Sequence, residues 1–219
     1  VGRLVHISAI GADADSNCDF ARSKAEGEAA VLTHMPDAVI LRPSAMFGTE
    51  DTFFNFYAGL TRLGPVMPIV GGNSLFQPVY VEDVARAAES GVVDDVVPGV
   101  YELGGPDVIS LRDLIDGMLG VIRRRRLVLN MPFFVARLMA FSFDMMQVVS
   151  LGLITNAVLT RDQVRGLAHD NKVSDGTKGL ADLGIAPVPM EAVLSDYLWR
   201  FRPSGQYDAI KESARKLRT

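Results

Sequence analysis

Through Gly105 the chain alternates short apolar runs with amphipathic stretches, the pattern of βα units feeding a mostly parallel sheet. Strands are predicted at residues 3–8, 38–42, 76–80 and 100–103, with helices at 20–34, 51–63 and 81–93. Pro43, Gly64-Pro65 and Gly104-Gly105-Pro106 punctuate the joins. After Pro106 the texture changes. Ser110 and Asp113 have the spacing of a capping pair, and Leu111, Leu114, Ile115, Met118, Leu119 and Ile122 then recur on one stripe at helical spacing. The last regular element is predicted at 190–201, after Asp182-Leu183-Gly184-Ile185. The fold class is therefore α/β. Residues 1–106 read as βα units of a mostly parallel sheet, 107–202 as a smaller, mainly helical lobe, and 203–219 as a polar, loosely held tail.

Composition narrows the partners. With 219 residues the chain can bury a sizeable core, and 48% hydrophobic against 22% charged content excludes a disordered tail. A net charge of -4 gives no basic footprint for nucleic acid. The one cysteine, Cys18, rules out an intrachain disulfide framework and suits a reducing compartment. His6, His34 and His169 show no ligand spacing, so no metal is expected. Val1 to Ser8 reads as a buried strand and not as a targeting peptide, as in a chain that begins inside a fold.

The candidate chemistry lies at the strand exits. Phe20 and Lys24 are four apart on a predicted helix, where a tyrosine-lysine pair would place a phenol beside an ammonium and lower its pKa for proton transfer. Phenylalanine has no proton to give, but Lys24 can still hydrogen-bond a ribose. Ser8 ends the first strand, where an open α/β sheet places its ligands, and could polarise a carbonyl. A serine closing a strand-to-loop turn would look the same. Pro43, Ser44, Ala45 and Met46 follow the second strand at that edge, where their backbone could run beneath a nicotinamide ring; a plain strand exit broken by proline is the other reading. Glu82 and Asp83 open a helix, where its dipole alone accounts for them.

Taken in order and at these separations, the segments resemble the C-terminal half of an extended or atypical short-chain dehydrogenase/reductase, of the NAD-dependent epimerase/dehydratase type and Rossmann-like in fold. The Gly-rich phosphate-binding turn of such proteins does not occur in these residues. Within that superfamily the chain is most similar to the alpha-subcomplex subunit 9 family, the Rossmann-type accessory subunit of respiratory complex I. The stretches that carry this are Arg42-Pro43-Ser44 through Asp51, Gln77 through Val81, Leu159-Thr160-Arg161-Asp162-Gln163-Val164 and Leu180 through Ile185. The resemblance implies a tightly held NADPH with a structural role, NAD being possible, and complex I subunits as partners. It also implies a peripheral position on the cytoplasmic face of a bacterial inner membrane or on the mitochondrial matrix side. The rival reading is an active NAD(P)-dependent epimerase, dehydratase or reductase with another proton donor.

One further segment concerns membranes. Arg123, Arg124, Arg125 and Arg126 precede a Phe- and Met-rich run that Pro132, Arg137 and Asp144 interrupt before the roughly 20 apolar residues a spanning helix needs. Such a segment can lie on an anionic bilayer without crossing it. It reads equally as a solvated charge run before a strand and a core helix, and Met139, Met145 and Met146 suit either a partner contact or a core.

Overall fold

The computed structural model describes residues 2–93, 96–149, 160–203 and 205–207. In chain order its elements are β1 (Val5–Ile7), α1 (Asp19–His34), β2 (Val39–Pro43), β3 (Met46–Phe47), α2 (Phe54–Leu60), β4 (Val66–Val70), β5 (Leu75–Phe76) and β6 (Val79–Tyr80). There follow α3 (Val81–Val93), β7 (Gly99–Leu103), β8 (Ile109–Ser110), α4 (Leu111–Val121), β9 (Leu127–Met131), α5 (Phe133–Val149), α6 (Arg161–Gly166) and α7 (Met190–Leu198).

β1, β2 and β7 form a parallel sheet in that order, with Val5 opposite Val39 and Leu41 opposite Tyr101. Side chains alternate between its faces. Val39, Leu41, Tyr101 and Leu103 pack against Val84 and Ala87 of α3 and against Leu180 and Ile185. α3 lies so close that a Cβ on Gly91 would sit 2.7 Å from the Val5 side chain. Arg42 and Glu102 belong to the other face, toward α1. The sheet is thus covered on both sides, as a doubly wound arrangement requires.

The largest core runs across position 106. Phe47, Phe54, Met67 and Ile69 meet the α4 stripe, and Leu194, Tyr197 and Leu198 of α7 close it. All six predicted stripe residues are buried, and Ser110 Oγ accepts from the Asp113 N–H at 3.1 Å, so local sequence set this helix correctly. Gly184 at φ 68 ends the turn Leu180–Leu183 in the left-handed region, which releases Ile185 into the core.

Three predicted elements differ. The strand at 76–80 is two strands in different sheets: Phe76 pairs antiparallel with Ile109, and Val79 pairs parallel with Met46. Pro78 between them has no N–H to offer a ladder. The helix at 51–63 contracts to α2, whose N-cap is Phe53; Asp51 stands ahead of it, its carboxylate accepting from the Asn55 N–H. The first strand shortens to β1, although the Ser8 N–H still reaches the Leu41 carbonyl at 2.7 Å. The strand β4 was not predicted; it runs parallel to β9, and both turn Val128, Met67 and Ile69 inward while Val66, Pro68, Leu127 and Leu129 stay exposed. The tail from residue 208, Leu159 and the Met146 side chain lie outside the described residues.

α5 is built in an unusual sense. Its Ala136 and Ala140 are buried against Val70 and Val164, while Phe134, Leu138, Phe141 and Met145 are exposed. Among the described residues no helix is long and apolar enough to cross a membrane.

Leu114, fully buried in α4, provides a measure of the core. Leu114→Ala in the full protein is expected to cost about 2–5 kcal/mol, read as a lower urea midpoint at unchanged m-value.

Candidate functional site

The helix that carries Phe20 and Lys24 is placed by polar contacts. Cys18, its N-cap, makes no side-chain cap of its own. Instead the Asp162 carboxylate on α6 accepts from the Asp19 N–H at 2.6 Å and the Phe20 N–H at 3.1 Å, and the Cys18 thiol donates to it at 3.4 Å. α6 is fixed in turn. Thr160 and Gln163 form a reciprocal capping box, Arg165 donates to the Asn17 carbonyl and Arg161 pairs with Asp144 on α5. The Thr160-Arg161-Asp162 stretch singled out by sequence is therefore the joint between the C-terminal segment and α1. Burial pushes the Asp162 pKa up, but these three hydrogen bonds and the nearby Arg165 outweigh it and hold the carboxyl below its ordinary value.

Glu28, one helical turn beyond Lys24, is buried and takes two hydrogen bonds from Arg42, at 2.8 Å from Nε and 2.6 Å from Nη2. Arg42 also faces Glu102 at 3.7 Å, and the other Glu102 oxygen accepts from the Ser174 N–H. Burial alone would raise the Glu28 pKa; the Arg42 fork, helped by the Ser8 hydroxyl and His6, reverses this and leaves it lowered. Sequence reasoning did not assign this network. Its signal was a charged residue inside an otherwise apolar strand, which demands a buried partner.

A cavity of about 970 Å³ opens beyond the carboxyl ends of β1, β2 and β7. Phe20, half exposed, lines it. Lys24 does not line it, but holds its ammonium 5.7 Å over the Phe20 ring, so the two do share a face as their spacing predicts. Ser8 is buried beside Glu28, and its hydroxyl makes no well-formed hydrogen bond among the described residues. Pro43 is buried at the end of β2, where its carbonyl accepts from the Ile10 N–H. Ser44 Oγ and the Ala45 N–H both bond Asn171, a residue the sequence did not flag, and Met46 is exposed in β3. Ser8 and the 43–46 stretch are thus neighbours at one sheet edge. Their polar groups are largely turned to the protein. Of the four arginines, Arg124 donates to the Phe201 carbonyl and Arg126 to the Thr61 carbonyl, while Arg123 and Arg125 are exposed.

No family model matches the sequence. The chain is 35% identical over 207 residues to NADH dehydrogenase (ubiquinone) 1 alpha subcomplex subunit 9, mitochondrial, of Arabidopsis thaliana, covering 93% of this chain and 52% of that protein. Over nearly all of its length the chain is similar to the alpha subcomplex subunit 9 proteins. The subunit of Rattus norvegicus is 32% identical over 205 residues, covering 92% of this chain and 52% of its own length. The chain spans about half the length of these subunit 9 relatives. In fold it is similar to the dTDP-glucose 4,6-dehydratase of Bacillus anthracis in complex with NAD, with a TM-score of 0.61 at 13% identity, covering 96% of this chain and 63% of that one.

The joint in this subunit 9 homologue is testable by pH. Asp162 and Glu28 both have lowered folded-state pKa values, so the stability they confer is present above the unfolded carboxyl values of about 4 and lost as pH falls through the folded ones. Asp162→Asn is expected to cost about 0.5–2 kcal/mol at neutral pH and to reduce the acid limb of a stability-pH profile. An acid limb unchanged by the substitution would contradict the assignment.

Proposed function

We propose that the protein containing this chain is a non-catalytic, NADP(H)-binding accessory subunit of respiratory complex I. The observation that carries the reading is Phe20 in the wall of the strand-end cavity with the Lys24 ammonium over its ring. That is the arrangement of a nucleotide site without its acid. The similarity to the mitochondrial subunit 9 proteins supports the partner, and the nicotinamide nucleotide in structures of similar fold supports the ligand class. NADPH is the assigned nucleotide, with NAD as the alternative.

In this reading Lys24 holds the ribose, while Ser8, Phe20 and the Pro43, Ser44, Ala45 and Met46 stretch border the nicotinamide. Because Asn171 takes Ser44 Oγ and the Ala45 N–H, that stretch offers the ring a surface and not donors. The segment 107–202 meets other subunits and lipid. Exposed Leu127, Leu129, Phe134 and Leu138 supply apolar contact, and exposed Arg125 adds on the order of 1 kcal/mol near anionic headgroups. The protein then lies peripherally, on the cytoplasmic face in a bacterium or the matrix side in a mitochondrion.

Native protein is expected to co-purify with complex I and to release NADPH on denaturation. Lys24→Ala should lower the retained NADPH about tenfold, as for a lost hydrogen bond from a charged donor. Recovery as a free enzyme that turns over NAD(P)H with a carbonyl substrate would overturn the reading.

A further inference from the structure

Five arginines from three separate stretches of chain gather around one buried ring. Arg62 follows α2, Arg124 and Arg126 lie in the α4–β9 connection, and Arg200 and Arg202 follow α7. The ring is that of Phe201, whose centroid lies 4.9 Å from the Arg62 guanidinium and 5.4 Å from that of Arg200. Backbone carbonyls hold the group in place. Arg124 Nε donates to the Phe201 carbonyl at 2.7 Å, Arg202 Nε to that of Val121 at 2.9 Å, Arg126 Nε to that of Thr61 at 2.9 Å and Arg62 Nη2 to that of Arg200 at 3.2 Å. Arg200 Nη2 donates to the Thr49 carbonyl and to Asn55 Oδ1. All these acceptors are neutral. Among the described residues no carboxylate pairs with any of the five, and Asp116, in the lining of the cleft beside Arg124 and Arg126, faces Arg112 at 4.0 Å. Burial, together with the nearby Arg126 and Arg62, pulls the Arg124 pKa below its ordinary value, as expected of cations crowded without counter-charge. A guanidinium has five N–H donors in a rigid fork, and the carbonyl contacts engage only part of each. Arg62 and Arg200 are exposed, so their free donors face the surface.

We propose that this face docks a short acidic segment of a partner protein, its Asp or Glu carboxylates taken by the guanidinium forks of Arg62, Arg124, Arg126, Arg200 and Arg202. Charge and residue type select that occupant. The chain carries -4 in all although these five contribute +5, so a long polyanion such as nucleic acid meets repulsion over the rest of the surface and a short acidic segment does not. Nor is there a ring for a base to stack on, since Phe201 is buried beneath two guanidinium groups. Every cation here is an arginine anchored in position, which suits planar carboxylates better than a fluid headgroup layer. The assignment goes beyond the accessory-subunit reading and does not rest on it. Arg125, which that reading turns to headgroups, is not among the five.

The test titrates full-length protein with a fluorescein-labelled peptide of alternating Glu and Ser, read by anisotropy, with a Gln-for-Glu counterpart as control. The Glu peptide is expected to bind saturably and more weakly as salt rises, and the Gln peptide not to bind. Arg62→Gln combined with Arg200→Gln, both at exposed positions, should weaken the Glu peptide about tenfold, as for two surface ion pairs at the upper end of their range. A thermal midpoint recorded for each protein shows that the fold persists. Arg62→Lys combined with Arg200→Lys should recover only part of the loss, because the charge returns without the fork. Unchanged peptide affinity in the Gln variant, full recovery in the Lys variant, or no saturable binding by wild type would overturn the proposal. Sedimentation with vesicles of phosphatidylcholine and phosphatidylglycerol supplies the lipid arm. Wild type and the Gln variant should bind them alike; a Gln variant that loses the vesicles and keeps the peptide assigns the face to lipid and overturns the protein partner.

Discussion

The position of α1 is the constraint on which the candidate site depends, and it is an electrostatic one. Of its sixteen residues only Glu28 is buried. An apolar stripe, the usual means of docking a helix, is therefore absent. Two carboxylates replace it: Asp162 receives the first N–H groups of the helix, and Glu28 is gripped by Arg42 midway along. Phe20 and Lys24 lie between those points. Directional contacts of this kind fix rotation and translation together, whereas apolar packing of similar strength tolerates sliding. Removal of one partner from the Arg42–Glu28 pair would leave a buried charge uncompensated, so the arrangement resists piecemeal change.

What the sequence revealed follows from distance along the chain. The Ser110 cap and the α4 stripe are local patterns, and they were legible residue by residue. The pairing of β4 with β9 joins segments some sixty residues apart, and the alternation in Val66–Val70 is masked by a proline and by exposed apolar residues. The Asp162 cap spans 143 residues. No periodicity reports such a contact, although resemblance had marked Thr160-Arg161-Asp162 as distinctive before its physical purpose was visible. Asn171 escaped notice because one polar residue in a polar loop carries no signal until the backbone it satisfies is in view.

The four consecutive arginines show how composition can mislead about use. As a run they look like a uniform basic surface, yet the fold divides them. Arg124 and Arg126 tie the α4–β9 connection to Phe201 and Thr61, joining three distant segments through backbone carbonyls, and Arg123 adopts a left-handed conformation at φ 54 that tightens the turn. The exposed remainder is smaller and lies at one end of β9. At the other end α5 presses two alanines inward, which brings its axis close to the protein and leaves its large side chains outside.

The Asp162 cap also has a consequence in time. Ribosomes add roughly 5–20 residues per second, so on the order of 10–30 s separates synthesis of the first turn of α1 from synthesis of the carboxylate that completes it. During that interval the helix carrying Phe20 and Lys24 has its leading amides bonded only to water, and its orientation is not set. The sheet edge proposed to take the nucleotide is accordingly complete only in chains already translated through the 160s.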